Sequence, residues 1–255
     1  MKSICFLILF SILGFNSYPQ KKYSVDDLSK MVVCIADQSG QNSTPLGTAT
    51  IISDSLKYYL VTALHVSSAL KHHPFLIFKT DEDIAVSVPL NQFVRGDIIW
   101  TNHKEADISI IEITPYNEDS RKRLKEWSFP LSNVLATKEA VPREINVTII
   151  GYPIALFSQI GRNFSAFTFR SFFASELLVM RRADTGSKSV FQLLENPSMQ
   201  GLSGGPVLVG IDQVGYTFGP NQTILVGIVH GTYSDNTGGK LAMITPAYYI
   251  REILK

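Results

Sequence analysis

Most apolar residues of this chain fall in short runs rich in Val, Ile, Phe and Tyr, separated by turn-forming residues. Such runs are Ala49–Ser53, Tyr58–Ala63, Ala85–Pro89, Ile108–Ile113 and Val147–Gly151, followed by Ala166–Phe173, Val190–Leu194, Val207–Ile211, Ile224–Val229 and Leu241–Ile244. Many short strands at this spacing predict an all-β barrel or sandwich. A further strand is expected at Met31–Ala36, entered from a short helical turn at Val25–Lys30. Two segments break the pattern. The charged stretch Glu118–Trp127 reads as a surface connection, whereas Pro246–Leu254 places Tyr249, Ile250, Ile253 and Leu254 at helical spacing and predicts a final amphipathic helix. The pattern therefore predicts two β units joined near residues 118–135 and closed by a C-terminal helix.

The start of the chain reads differently. Met1-Lys2-Ser3 is a short basic start, and Ile4–Phe15 is an almost unbroken apolar run. As a helix that run would span roughly 18 Å at 1.5 Å per residue, short of the ~30 Å hydrocarbon core of a bilayer. A cleavable signal peptide over residues 1–20 is expected, with cleavage between about Ser17 and Gln20 and a secreted or periplasmic product; an uncleaved anchor is the alternative. Cys5 would leave with the signal, and Cys34 would remain as a buried structural thiol. A mature chain without an intramolecular disulfide must take its stability from its core, and with 255 residues, 45% of them hydrophobic, it has the material. A formal net charge of +1 sets up no field that would select nucleic acid or anionic lipid as a partner. Asn42, Asn146, Asn163 and Asn221 begin N-x-S/T patterns, which matter only in a glycosylating host.

The sharpest local signal is Gly201-Leu202-Ser203-Gly204-Gly205-Pro206. A nucleophilic serine needs its hydroxyl presented at a tight turn, with backbone N–H groups free to face a developing oxyanion. Flanking glycines permit that turn, although the same residues also suit a plain Gly-Ser-Pro turn between strands. Two other segments supply what such a serine would need. Tyr59–Val66 is a strand ending in His65, and Asp107 opens the apolar run Ile108–Ile111. An isolated buried carboxylate is costly, so a carboxylate here asks for a partner. The imidazole would take the serine proton, and the aspartate would fix its tautomer and stabilise the imidazolium.

Thr62-Ala63-Leu64-His65, Asp107-Ile108-Ser109-Ile110 and Gly201–Pro206 resemble the three signature blocks of trypsin/chymotrypsin-like serine peptidases, in that family's order of His, Asp, Ser. The resemblance is to bacterial-type members related to glutamyl endopeptidases and high-temperature-requirement-type proteases. Gly47-Thr48-Ala49 is similar to the strand before the histidine segment, and Ile150-Gly151-Tyr152-Pro153 to the block opening the second barrel. Val226–Gly231 is similar to the strand lining the primary specificity pocket. The resemblance implies two six-stranded antiparallel β-barrels with a short C-terminal helix. Residues 24–130 would carry His65 and Asp107, and residues 131–255 would carry Ser203. It further implies His65 as general base, Asp107 as its orienting carboxylate, Ser203 as nucleophile, and an oxyanion hole from the N–H groups of Gly201 and Ser203. Protein or peptide substrates are implied, and neither a metal nor an organic cofactor is.

Departures from the family pattern narrow this expectation. Leu202 stands where vertebrate digestive members carry an aspartate that pairs with a newly cut N-terminus, and no R-I-V-G-G-like activation sequence is present near the start. Activity without zymogen cleavage is therefore expected. Pro197, Ser198, Val229 and His230 are candidates for the substrate pocket. With no acidic residue at its base, Arg or Lys before the scissile bond is disfavoured. Val229 occupies the slot where glutamyl endopeptidases carry histidine; His230, one place on, would point to the other strand face. A surface reading is expected for His230, as for Lys240, His72, His73 and His103. Alternatives to the endopeptidase are a binding or scaffold protein that has lost catalysis on the same fold and, more weakly, an esterase.

Overall fold

The computed structural model describes residues 22–39, 42–55, 57–80, 84–154, 164–182, 184–211 and 222–255. The expected signal segment, and the patterns at Asn163 and Asn221, lie outside the described residues. In the first half, α1 (Val25–Lys30) leads to β1 (Val32–Ser39), β2 (Asn42–Asp54) and β3 (Lys57–Thr62). Then come α2 (Leu64–Ser68), β4 (His73–Lys79), β5 (Ala85–Pro89), β6 (Thr101–Asn102) and β7 (Ser109–Ile113). After α3 (Glu118–Glu126) and β8 (Phe129–Pro130), the second half runs through β9 (Asn146–Gly151), β10 (Phe167–Phe172) and β11 (Leu178–Arg181). It ends with β12 (Lys188–Leu194), β13 (Pro206–Val209), β14 (Ile224–Ser234), β15 (Lys240–Pro246) and α4 (Tyr248–Ile253).

These strands form two sheets. The first has the order β5-β4-β1-β2-β3-β7-β6, with β8 added in parallel against β2; the second has the order β10-β9-β13-β14-β15-β12-β11. Apart from the β8 contact, neighbours are antiparallel, as expected for a double chymotrypsin-like architecture. The strand counts exceed six because short edge strands such as β6, β8 and β11 join the sheets.

Period-two alternation explains how the halves meet. On β1, Val33 and Ile35 enter the core of the first sheet, while Val32, Cys34 and Ala36 face a second cluster between the sheets. On β9, Val147 and Ile149 enter the core of the second sheet, while Ile150 joins that same central cluster. Strands buried on both faces read as continuous apolar runs, and each fully buried aliphatic side chain contributes about 1.5–3 kcal/mol. Cys34 is buried and free in the central cluster. Burial pushes its thiol well above the ordinary range.

The surface connection Glu118–Trp127 is mostly helix. Asn117 caps α3 by accepting the Ser120 N–H at 2.8 Å, acidic residues fill the first turn, and Arg123 and Lys125 the last. Leu124 is its one buried apolar anchor, too little to leave a 3.6-residue stripe in the sequence. The final helix forms, with Tyr248, Tyr249 and Ile250 buried against the central cluster. Among the described residues, no helix is long and apolar enough to cross a membrane.

Candidate active site

Strand pairing brings two of the candidate side chains together. His65 follows β3 on α2, Asp107 precedes β7, and β3 and β7 are antiparallel neighbours with Thr62 opposite Ser109. Two hydroxyls fix the spacing behind them: Ser67 of α2 bonds Ser109 of β7 at 2.7 Å, and Ser109 donates to Asn102. The turn before Asp107 is held by His103, whose Nδ1 accepts the N–H groups of Glu105 and Ala106 at 3.1 and 3.0 Å. With Nδ1 accepting, the proton sits on Nε2, which donates to Glu252 at 3.1 Å. His103 is thus a bracing residue tied to α4 rather than a free surface side chain, while His72 and His73 are exposed.

Asp107 is completely buried and accepts from four donors. One oxygen, Oδ1, takes the backbone N–H of His65 at 3.0 Å and Arg182 Nη2 at 3.2 Å. The other, Oδ2, takes Nδ1 of His65 at 2.7 Å and Nδ1 of His230 at 2.5 Å. Burial alone would raise this carboxyl, but the hydrogen bonds and attraction of His230 and His65 outweigh it and hold the group well below the usual carboxylate range. The backbone contact also serves α2, whose N-cap Ala63 offers no side chain to its first N–H groups.

Two of these partners were not legible as such in the sequence. His230 is buried, not at the surface: it sits edge-on to His65 with ring centroids 5.5 Å apart, and beside Phe191 at 5.0 Å. It does lie on the opposite strand face from Val229. That face is covered by Asp107 from the first sheet instead of by water. Arg182 follows β11, is nearly fully buried, and carries no motif that would single it out.

Ser203 comes from the second sheet, in the turn before β13. Gly201 and Gly204 adopt φ of +97° and +83°, which only glycine takes without strain, and a Cβ on Gly201 would meet the backbone of Tyr152 and Ile154. Thr48 of β2 threads the turn to the first sheet: its hydroxyl donates to Gly201 O at 2.7 Å and accepts the Tyr152 N–H at 2.9 Å. Leu202 is buried in the apolar core of the second sheet. Hydrophobic burial of Leu202 therefore anchors the turn. Among the described residues, the N–H groups of Gly201 and Ser203 have no hydrogen-bond partner. The Ser203 hydroxyl donates to the carbonyl of His230 at 3.1 Å and not to His65.

Pro197, Ser198 and Val229 are brought together around a cavity of about 230 Å³, with Ile149, Leu202 and Ala242 among its walls. Arg170 is the one charged residue of those lining it. His230 does not line it, and Lys240 is exposed and also absent from its walls. His65, Asp107 and His230 place their ligating atoms within 4.8 Å of one another. Both imidazole nitrogens, however, lie at N–H···O distance from the same carboxylate oxygen, so these residues form a hydrogen-bonded set rather than metal ligands.

No protein-family model matches the chain, and no curated protein matches it. Solved structures do. The protease domain of MamO from Magnetospirillum magneticum superimposes with a TM-score of 0.61 at 19% identity, over 90% of this chain and 98% of that one. The active form of the Rv3671c protease from M. tuberculosis gives 0.56 at 17% identity, over 90% and 82%. The HtrA-type protease AlgW with a decapeptide gives 0.56 at 15% identity, over 90% of this chain and 65% of AlgW. The fold is that of HtrA-related, trypsin-like serine proteases. At these identities the likeness establishes architecture, and the chemistry has to be argued from the side chains themselves.

Proposed function

We propose that the protein is a serine endopeptidase that hydrolyses peptide bonds through an acyl-enzyme, with His65, Asp107 and Ser203 as its triad. The observation that carries this reading is the combination of a fully buried Asp107 bonded to His65 with a glycine turn that leaves two amides unengaged beside Ser203. In the first step His65 Nε2 takes the Ser203 proton as Oγ bonds to the scissile carbonyl carbon. The oxyanion forms toward the N–H groups of Gly201 and Ser203, each such donor being worth roughly 3–4 kcal/mol in the transition state. Asp107 pairs with the imidazolium, which then protonates the leaving amine as the C–N bond breaks. Water repeats the sequence on the acyl-enzyme, releasing the acid and restoring Ser203. The two aligned hydrogen bonds from His65 to Asp107 fix the imidazole tautomer with Nε2 free to accept.

Peptide or protein substrates follow from this reading, and one of the similar structures holds a decapeptide. The cavity lined by Pro197, Ser198, Leu202 and Val229 has mainly apolar walls, no acid, and Arg170 on its lining, and if it takes the residue before the scissile bond it supports a neutral side chain there over Arg or Lys. Leu202 in its apolar seat supports assembly of the turn without a cleaved N-terminus. The basic start and apolar run Ile4–Phe15 support export to the periplasm or medium.

One observation favours a second reading, a binding protein without catalysis: Ser203 bonds His230 rather than His65. Catalytic hydrogen bonds are often unmade before substrate arrives, so the endopeptidase is preferred. Labelling by a fluorophosphonate at neutral pH decides between them. Native protein that labels, with Ser203→Ala silent, supports the enzyme; folded protein that stays unlabelled leaves the binding reading.

A further inference from the structure

We propose that Arg182 and Asp184, at the tip of the β11–β12 hairpin, form a charge-balanced clamp that positions Asp107 and sets how readily His65 accepts the Ser203 proton. This rests on the reading of Ser203 as nucleophile.

The clamp crosses between the sheets. Arg182 belongs to the second sheet's hairpin, whose backbone holds it through Arg182 N–H to Ser187 O at 2.8 Å and Gly186 N–H to Arg182 O at 3.0 Å. Its side chain is 3% exposed and its Nη2 reaches Asp107 Oδ1, in the first half, at 3.2 Å. The same guanidinium is held from behind by Asp184: Nε meets Oδ1 at 3.0 Å and Nη2 meets Oδ2 at 2.5 Å. A planar guanidinium serves both carboxylates at once, which the point charge of a lysine cannot do with equal geometry.

The charges explain why Asp184 is needed. A buried arginine beside Asp107 would by itself cancel the carboxylate that has to stabilise an imidazolium at His65. Asp184 neutralises the arginine, so the three side chains together retain one negative charge. Arg182 then keeps Asp107 in place without taking its charge away from His65. The charged and titratable groups facing His65 are Asp107 from the start of β7, His230 from β14, and Arg182 and Asp184 from the hairpin. Lys71 stands beyond α2, across a cleft of about 510 Å³ that His65 and Asp184 both line. Neither Arg182 nor Asp184 reaches the reacting atoms; both are positioning residues that act through Asp107.

The test is the pH profile of inactivation by diisopropyl fluorophosphate, a reagent small enough to report the serine and histidine without filling the cleft. Ser203 forms the new O–P bond, fluoride leaves, and His65 takes the proton. Asp184→Asn leaves the arginine uncompensated: the plateau rate drops about tenfold, and the acid limb moves to lower pH because a protonated His65 is disfavoured. Arg182→Met exposes His65 to both carboxylates, and the acid limb moves to higher pH. In the double variant the limb returns toward its wild-type position. Loss of packing alone lowers rates but does not move the limb in opposite directions. Two single variants whose limbs stay at the wild-type position, or move the same way, overturn the clamp. Should Arg182→Met not fold, the profile of Asp184→Asn decides alone, because that side chain is partly exposed and its exchange conserves shape. Wild-type protein that is folded yet never inactivated overturns the hydrolase reading and the clamp with it. Wild-type inactivation with an unmoved Asp184→Asn profile overturns the clamp only.

Discussion

The backbone N–H of Thr48 donates to the carbonyl oxygen of Ser203 at 2.9 Å, so a strand of the first sheet holds the serine of the second. The Thr48 hydroxyl adds two buried bonds, to Gly201 O and from Tyr152 N–H. Thr48→Val keeps the shape and leaves both partners unpaired in the interior, a loss of about 2 kcal/mol. Steady-state kinetics of this variant should show kcat down roughly tenfold with KM little changed, and Thr48→Ser should recover most of it. A Thr48→Val enzyme with wild-type kcat would mean that the hydroxyl does not position the turn.

Gly204 combines a positive φ with a crowded site. A Cβ there would fall against Thr48 O and Thr62 Oγ1, and 2.9 Å from the Ala63 nitrogen. Gly96 has the same backbone hand, φ +84°, but open space around it. Gly96→Ala should cost only about 1–2 kcal/mol of backbone strain and keep fluorophosphonate labelling. Gly204→Ala should lose both labelling and much of its thermal stability. Equal melting temperatures for the two variants would refute the steric argument.

The folded state holds Asp107 below its ordinary carboxylate range, whereas the unfolded chain returns it to about 3.9. Its ionised form therefore favours the fold. That contribution is complete above the unfolded value and is lost as pH falls toward the folded one. Thermal melts of wild type and Asp107→Asn should differ by about 3 kcal/mol at neutral pH, and the difference should shrink as pH drops below about 4. A gap that is constant with pH would show that Asp107 contributes packing and no linked charge.

His65, Asp107 and Ser203 stood out in the sequence because each sits where a local pattern breaks: a histidine closing a strand, an acid opening one, a serine among glycines. Strand existence followed from short β-branched runs, while α3 was hidden because Leu124 alone faces inward. His230 could be put on the face opposite Val229 by alternation. What covers that face depends on how the sheets dock, and no local pattern records it. Arg182 and Asp184 are two ordinary charges in a hairpin tip. Their value comes from the contact Arg182 makes with Asp107, far away in the chain. Long-range pairing of buried charge was the part the sequence could not display.

The central apolar cluster between the sheets has a mechanical consequence. His65 and Asp107 ride on one side of it, and Ser203, His230 and Arg182 ride on the other. The distances from Ser203, His230 and Arg182 to His65 and Asp107 are thus distances across a seam, and a misplacement of about 1 Å can cost a hundredfold in rate. A slip of one half over the other would silence the protein while both cores stayed dry. On the proposed endopeptidase reading, catalytic output would act as a gauge of docking, more sensitive to sliding at the joint than any spectroscopic measure of strand content.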